Sequence, residues 1–222
     1  SLIGRIKDAI ASVNTYQANY TFHFLASFEG DPWALFAHLA AAQRAELCAC
    51  VDLGRFAVCS ASPELFFRLD GSTLTARPMK GTAPRGLTAA DDRRQVDWLH
   101  NSGKNRAENV MIVDMIRNDF GRIARTGSVH VPELFTIERY PTLLQMTSTV
   151  TAETDTPLSE ILAATFPCAS ITGAQKVSTM RLIHALEPEP RGVYTGAIGF
   201  IAPGRRAQFS VAIRTAVIDR ER

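Results

Sequence analysis

Four short apolar runs stand almost end to end in this sequence, at residues 47–53, 56–61, 65–69 and 73–77. The gaps between them are too short for the crossover that parallel pairing needs, so neighbours here can pair only antiparallel. Asp70-Gly71, a dipeptide favoured in two-residue hairpins, marks a tight turn in the last gap. Whatever else the chain contains has to pack against an antiparallel sheet.

The flanking segments read as helices and further strands. Leu2, Ile3, Ile6, Ala9, Ile10 and Val13 recur at helical spacing. Tyr20, Phe22, Phe24, Ala26 and Phe28 share one parity, which predicts a long strand with an aromatic face over residues 16–28. Asp31-Pro32 supplies an N-cap and a first-turn proline for a helix striped by Trp33, Phe36 and Leu39. Thr88 with Asp91 resembles a capping box, opening a helix that Gly103 ends. Residues 104–120 continue as helix, and short strands are predicted around Val129, Phe135 and Met146. Thr156-Pro157 opens another helix, stopped at Pro167. A loop at 168–173 leads into a helix up to Leu186, and two last strands, 194–201 and 208–218, meet at a turn around Gly204. Residues 83–92, with Pro84, Gly86 and several charges, are the expected mobile loop. Antiparallel runs with helices grouped between them give an α+β chain.

Composition narrows the function. Apolar residues make up 46% and the net charge is only +2, which weighs against a nucleic-acid surface but not against a small anion held by one or two arginines. Cys48, Cys50, Cys59 and Cys168 show no metal-ligand spacing and read as small core residues of a reducing compartment. No signal peptide opens the chain and no apolar run approaches the roughly 20 residues of a membrane span, so a soluble cytoplasmic protein is expected.

Four stretches carry more specific information. They are Ser60-Ala61-Ser62-Pro63-Glu64-Leu65-Phe66-Phe67, then Arg77-Pro78-Met79-Lys80-Gly81-Thr82-Ala83-Pro84-Arg85-Gly86, then Lys104-Asn105-Arg106-Ala107-Glu108-Asn109 running on to Arg117-Asn118-Asp119, and Ser170-Ile171-Thr172-Gly173-Ala174-Gln175-Lys176. In this order they resemble the shared motifs of the chorismate-utilising enzymes, among them anthranilate, aminodeoxychorismate, isochorismate and salicylate synthases. The resemblance runs from about residue 3 to residue 218. It implies that family's α+β fold, with antiparallel sheets and helices packed outside. It also implies flanking segments at both ends, including a second metal-ligating glutamate past Arg222, so residues 1–222 are read as one incomplete catalytic domain.

Taken alone, Lys80 between Pro78 and Gly81 is a turn lysine. Within the family the lysine marks the aminating, aminodeoxychorismate-forming branch and implies a covalent nucleophile, whereas anthranilate and isochorismate synthases usually carry alanine there. An amine becomes nucleophilic when burial leaves it neutral. Glu64, on the opposite arm of the Asp70-Gly71 hairpin, is implied as the general acid for the departing hydroxyl. Glu108 is implied as a Mg²⁺ ligand. Tyr194 and Arg214 are implied to hold a substrate carboxylate, a task suited to the planar guanidinium. Ser170, Thr172 and Gly173 would offer backbone N–H groups to an anion, with Lys176 adding charge. Gln145 falls where many relatives have a histidine near the substrate and is implied as a substrate-binding residue whose amide donates a hydrogen bond but transfers no proton. Asn105 falls where an acid is common and Gln175 where proline is usual. The resemblance implies amination of chorismate at C4, with ammonia from a separate glutamine amidotransferase subunit. Anthranilate synthase component I and a non-catalytic chorismate-binding remnant are the alternatives.

Overall fold

A computed structural model describes residues 1–44 and 46–221; Ala45 and Arg222, inside the expected 1–222 domain, lie outside the described residues. In chain order the elements are α1 (Leu2–Ala11), β1 (Gln17–Ala18), α2 (Pro32–Gln43), β2 (Leu47–Asp52), β3 (Phe56–Ser62), β4 (Leu65–Asp70), β5 (Thr73–Arg77), β6 (Met79–Pro84), α3 (Ala89–Asn101), α4 (Gly103–Gly121), β7 (His130–Arg139), β8 (Leu143–Glu153), α5 (Leu158–Thr165), a 3-10 turn (Ala169–Ile171), β9 (Gly173–Ala174), α6 (Lys176–Leu186), β10 (Ala197–Ala202), β11 (Arg206–Val211) and β12 (Thr215–Asp219). The four central runs are strands, as their spacing requires. The caps also form as read: Asp31 accepts from the N–H groups of Trp33 and Ala34, and Thr88 and Asp91 make the reciprocal bonds of a capping box.

All the strand pairs are antiparallel. The largest sheet joins β10, β11, β4, β5, β8 and β6, with β7 also on β8. β5 and β6 lie end to end along one edge of β8, and β7 takes the other edge. A smaller sheet has the order β12-β3-β2, and β1 pairs with β9. Helix α4 crosses β8 and β6, burying Ile112, Val113, Ile116 and Phe120 against Phe66, Phe67, Leu74 and Val150. Each such side chain contributes roughly 1.5–3 kcal/mol by leaving water. Helix α3 closes a second cluster around Leu99, Leu144 and Met146, and α2 covers β3.

Several expectations are corrected. Over residues 16–28 only Gln17–Ala18 is strand, and Phe22, Phe24 and Leu25 stand in solvent. Alternation supplies a face, but a strand also needs a neighbour's backbone. Past Asn19, whose N–H donates to Thr172 O, the chain leaves β9; the Thr21 N–H goes to the Glu187 carboxylate instead. The strands expected around Val129 and Phe135 are one strand, β7, interrupted by two register slips against β8. Residues 208–218 do not form one strand: β11 stops at Val211 and β12 joins the other sheet beside β3. Tyr194 precedes β10 in a turn. The stretch 83–92 is pinned, because Arg85 pairs with Asp92 and the Gly86 N–H donates to the same carboxylate at 3.0 Å. β6 was not anticipated.

Gly173 holds β1 in place. Its φ is +144°, and a Cβ there would fall 1.9 Å from the Gln17 carbonyl oxygen. Gly173→Ala is therefore expected to break the β1–β9 pairing and cost at least about 2 kcal/mol; thermal melting would show it, with loss of hydrogen-exchange protection at Asn19.

Candidate active site

Lys80 sits at a defect in its strand. β5 and β6 keep one register against β8 across Pro78, with Ala76 opposite Val150 and Met79 opposite Thr147. Thr82 then lies opposite Gln145, so one extra residue is inserted at Lys80-Gly81. Such a bulge re-aims a side chain. Gly81 adopts φ +97°, and a Cβ there would press on the Asn105 side chain of α4 at 3.0 Å. The half-buried Lys80 amine donates to the Ser170 carbonyl at 2.9 Å, joining the sheet to the turn before β9.

Glu64 enters from β4, which is also bulged: Leu65 lies opposite Arg77 but Arg68 opposite Thr75. Its carbonyl accepts the Val211 N–H at 3.1 Å and its own N–H donates to Ser62 Oγ at 3.3 Å. The side chain is 3% exposed, and carboxylate Oε1 has no hydrogen-bond partner. Burial pushes this carboxyl from 4.5 up to about 7, against the opposing pull of the Ser170 hydroxyl, the Lys80 charge and the Met79 N–H. The hairpin thus does bring Glu64 and Lys80 together, with Ser170 facing both. Burial, then the Glu64 charge, pushes the neighbouring Cys168 thiol up to about 12, so it is inert.

The Ser170–Gly173 stretch is a packed wall. Thr172 Oγ1 donates to the Cys168 and Ala169 carbonyls, the Thr172 N–H is used on Ala169 O, and Gly173 pairs with Ala18. Ile171 and Thr172 also line an open pocket of about 490 Å³ with Phe166, Met180, Arg191 and Tyr194. Arg191 and Glu187, which the sequence reading passed over, form a largely buried pair at 2.7 Å. Arg191 also donates to the Ile171 and Asn19 carbonyls, binding the wall to the segment after β1. Their i,i+4 spacing was the only available signal.

Arg214 and Tyr194 flank one backbone junction. The Thr195 N–H donates to Ala212 O at 2.8 Å and the Ala212 N–H to Gly196 O at 2.9 Å. Arg214 is exposed, stands at φ 50° on the corner between β11 and β12, and its guanidinium meets no carboxylate among the described residues. Other candidates are already engaged. Lys176 donates to Asp119 at 2.5 Å and to the Thr165 carbonyl at 3.0 Å, a pair largely shielded from water. Gln145 is buried, with Nε2 on Gly81 O at 2.8 Å and Oε1 accepting from Thr82 at 3.0 Å.

Glu108 stands on the flank of α4, one residue from the buried Asn109, half-exposed and 3.9 Å from Lys104. Among the described residues, no group of three His, Cys, Asp or Glu side chains is placed to hold a metal ion. Mg²⁺ takes one or two carboxylates and completes its shell with water and substrate oxygens. The Glu108 carboxylate fits that chemistry as one ligand of an open site.

A buried carboxyl and a lysine amine meet at one serine between two bulged strands of an antiparallel α+β fold. The sequence matches the chorismate binding enzyme family over residues 1–222, and the chain belongs to that family. It is 43% identical over 213 residues to aminodeoxychorismate synthase component 1 of Escherichia coli (strain K12), covering 95% of this chain and 47% of that protein. It is 45% identical over 206 residues to the protein of the same name from Salmonella typhimurium (strain LT2), covering 92% of this chain and 45% of that one. Among solved structures, anthranilate synthase component I from Streptococcus pneumoniae TIGR4 superposes with a TM-score of 0.90 at 29% identity, over 99% of this chain and 49% of the other. The fold is that of the chorismate-utilising enzymes. The chain spans about half the length of these relatives.

Glu64 links stability to pH. A carboxyl that titrates near 4.5 when unfolded and at about 7 when folded makes the folded state hold the extra proton between those values. Stability is fullest below 4.5 with respect to this group and falls as pH rises through about 7. Glu64→Gln should therefore gain on the parent by up to about 3 kcal/mol across that window; denaturant titrations in which the variant-minus-parent stability difference is the same at pH 5 and pH 8 would refute the assignment.

Proposed function

We propose that this chain aminates chorismate at C4 to give 4-amino-4-deoxychorismate, on the way to p-aminobenzoate and folate. The observation that carries this reading is the convergence of the Lys80 amine and the buried Glu64 carboxyl on Ser170. The Lys80 nitrogen adds at C2 of chorismate, both ring double bonds shift, and the C4 hydroxyl leaves as water with the proton that Glu64 supplies. Ammonia then adds at C4, giving up a proton, both double bonds shift back, and the lysine amine departs from C2. A carboxyl held near neutrality suits this step, since it keeps its proton close to working pH and still gives it up.

Arg214 and Tyr194 are the residues to hold a chorismate carboxylate; the guanidinium is free for a bidentate contact. Mg²⁺ belongs to the same proposal, with Glu108 as a ligand; bound there, the ion would neutralise the other carboxylate of the substrate. Ammonia would come from a glutamine amidotransferase partner, a reading supported by the name component 1 borne by the relatives. No helix among the described residues is long and apolar enough to cross a membrane, and Cys50, Cys59 and Cys168 form no disulfide among the described residues. We place the protein in the cytoplasm, where free thiols persist. The likeness to an anthranilate synthase favours a second reading, formation of anthranilate. The Lys80 amine argues against it, because that branch of the family usually has alanine there.

Incubated with chorismate, Mg²⁺ and ammonia, the protein should show a chorismate-derived mass on Lys80 and a non-fluorescent amino product; accumulation of fluorescent anthranilate would support the second reading instead. Lys80→Ala should lose the adduct and at least about a hundredfold of amination. Arg214→Ala should weaken chorismate binding by about 1.5–3 kcal/mol, the range for hydrogen bonds to a charged group. Its melting temperature should barely move, because the side chain is exposed; unchanged calorimetric affinity would place Arg214 outside the site.

A further inference from the structure

We infer that Gln145 is a positioning residue: its amide clamps the bulge that presents the Lys80 amine. The inference rests on the aminating reading for the value of that placement, and on geometry alone for the clamp itself. The extra residue at Lys80-Gly81 has no counterpart on β8, so the regular ladder does not fix its peptide planes. Gln145, the residue opposite Thr82, supplies the missing restraint from both sides. Its Nε2 donates to the Gly81 carbonyl at 2.8 Å, and its Oε1 accepts the Thr82 hydroxyl at 3.0 Å. The amide thus spans the two residues that follow Lys80. With 6% of the residue exposed, little of the amide is left to meet a ligand.

The need for a clamp follows from the glycine. Gly81 sits at φ +97°, where glycine alone is unstrained, and a glycine peptide rotates readily if nothing holds it. Movement toward α4 is blocked, because Asn105 already touches the space a Cβ would occupy. Movement the other way swings Lys80 off the Ser170 carbonyl, and the Gln145 bond to Gly81 O resists that swing. A neutral amide suits this place beside the lysine, because it can donate and accept at once while adding no charge.

The test uses the full chain and three variants. Gln145→Leu keeps side-chain bulk and removes both hydrogen bonds, Gln145→Ala also removes bulk, and Thr82→Val deletes only the hydroxyl contact. Two measurements are made on each. One is the rate of Lys80 acetylation by acetic anhydride, relative to the exposed Lys104 and read by peptide mass spectrometry without chorismate. The other separates the chorismate dissociation constant from the rate of adduct formation at saturating chorismate. Gln145→Leu should alter the Lys80-to-Lys104 acetylation ratio and slow the saturated adduct rate by about ten- to a hundredfold, with the dissociation constant unchanged. Thr82→Val should do the same to a smaller degree. An unaltered acetylation ratio in both Gln145 variants overturns the inference, and so does a weakened dissociation constant with an unaltered adduct rate, which would make Gln145 a substrate contact. If the parent forms no Lys80 adduct, the aminating reading fails, while the acetylation ratio still decides the clamp.

Discussion

Pro78 has no N–H to give to the sheet, and the placing of the site depends on how that gap is bridged. The Ser148 N–H on β8 donates to the Pro78 carbonyl at 3.2 Å, so the register survives the proline. The Ser148 hydroxyl then donates to the buried Asn109 of α4 at 2.5 Å and accepts the Phe135 N–H at 3.1 Å. One serine therefore ties together the interrupted strand, the bulged β7 and the helix that carries Glu108. With the register kept up to Met79, the whole surplus of one residue falls on Lys80-Gly81, and the amine turns toward Ser170.

The electrostatics follow from the same packing. Glu64 is driven into the interior by its place beside the twin buried rings Phe66 and Phe67, and the desolvation this imposes outweighs the help of Ser170, Met79 and Lys80. The carboxyl stays protonated at pH values where an exposed glutamate would have ionised. Its unpartnered Oε1 means that the protein leaves hydrogen-bonding capacity unused at this point.

Much of this could be read from residue order. The close-set runs dictated antiparallel strands, the Asp31 and Thr88 caps placed two helices, and the Asp70-Gly71 hairpin correctly put Glu64 near Lys80. The misses share a physical origin: each depends on a partner distant in sequence. The aromatic alternation of residues 16–28 had no strand to pair with beyond Ala18. The apolar stretch 208–218 has the composition of a single strand, yet its two halves find different neighbours, β4 and β3. β6 was hidden by Pro78 and Gly81, which usually punctuate strands. Lys176 looked available for an anion because nothing local reveals Asp119, a residue on another helix. Bulges leave no mark in composition, so the roles of Gly81 and Gln145 were invisible before the register was known.

The corner at residues 212–214 has a consequence for the arginine mounted on it. On one side, Ala212 is bonded to Thr195 and Gly196, which lead into the large sheet; on the other, Arg214 O accepts the Ala61 N–H of the small sheet. The guanidinium is therefore carried on a joint between two bodies, like a pointer fixed to a hinge pin. A slide of the β12-β3-β2 layer against the larger sheet, too slight to disturb either ladder, would be delivered to the far end of that long side chain as a change of direction. Packing changes around α2, which rests on β3, thus have a mechanical route to the charge that faces solvent.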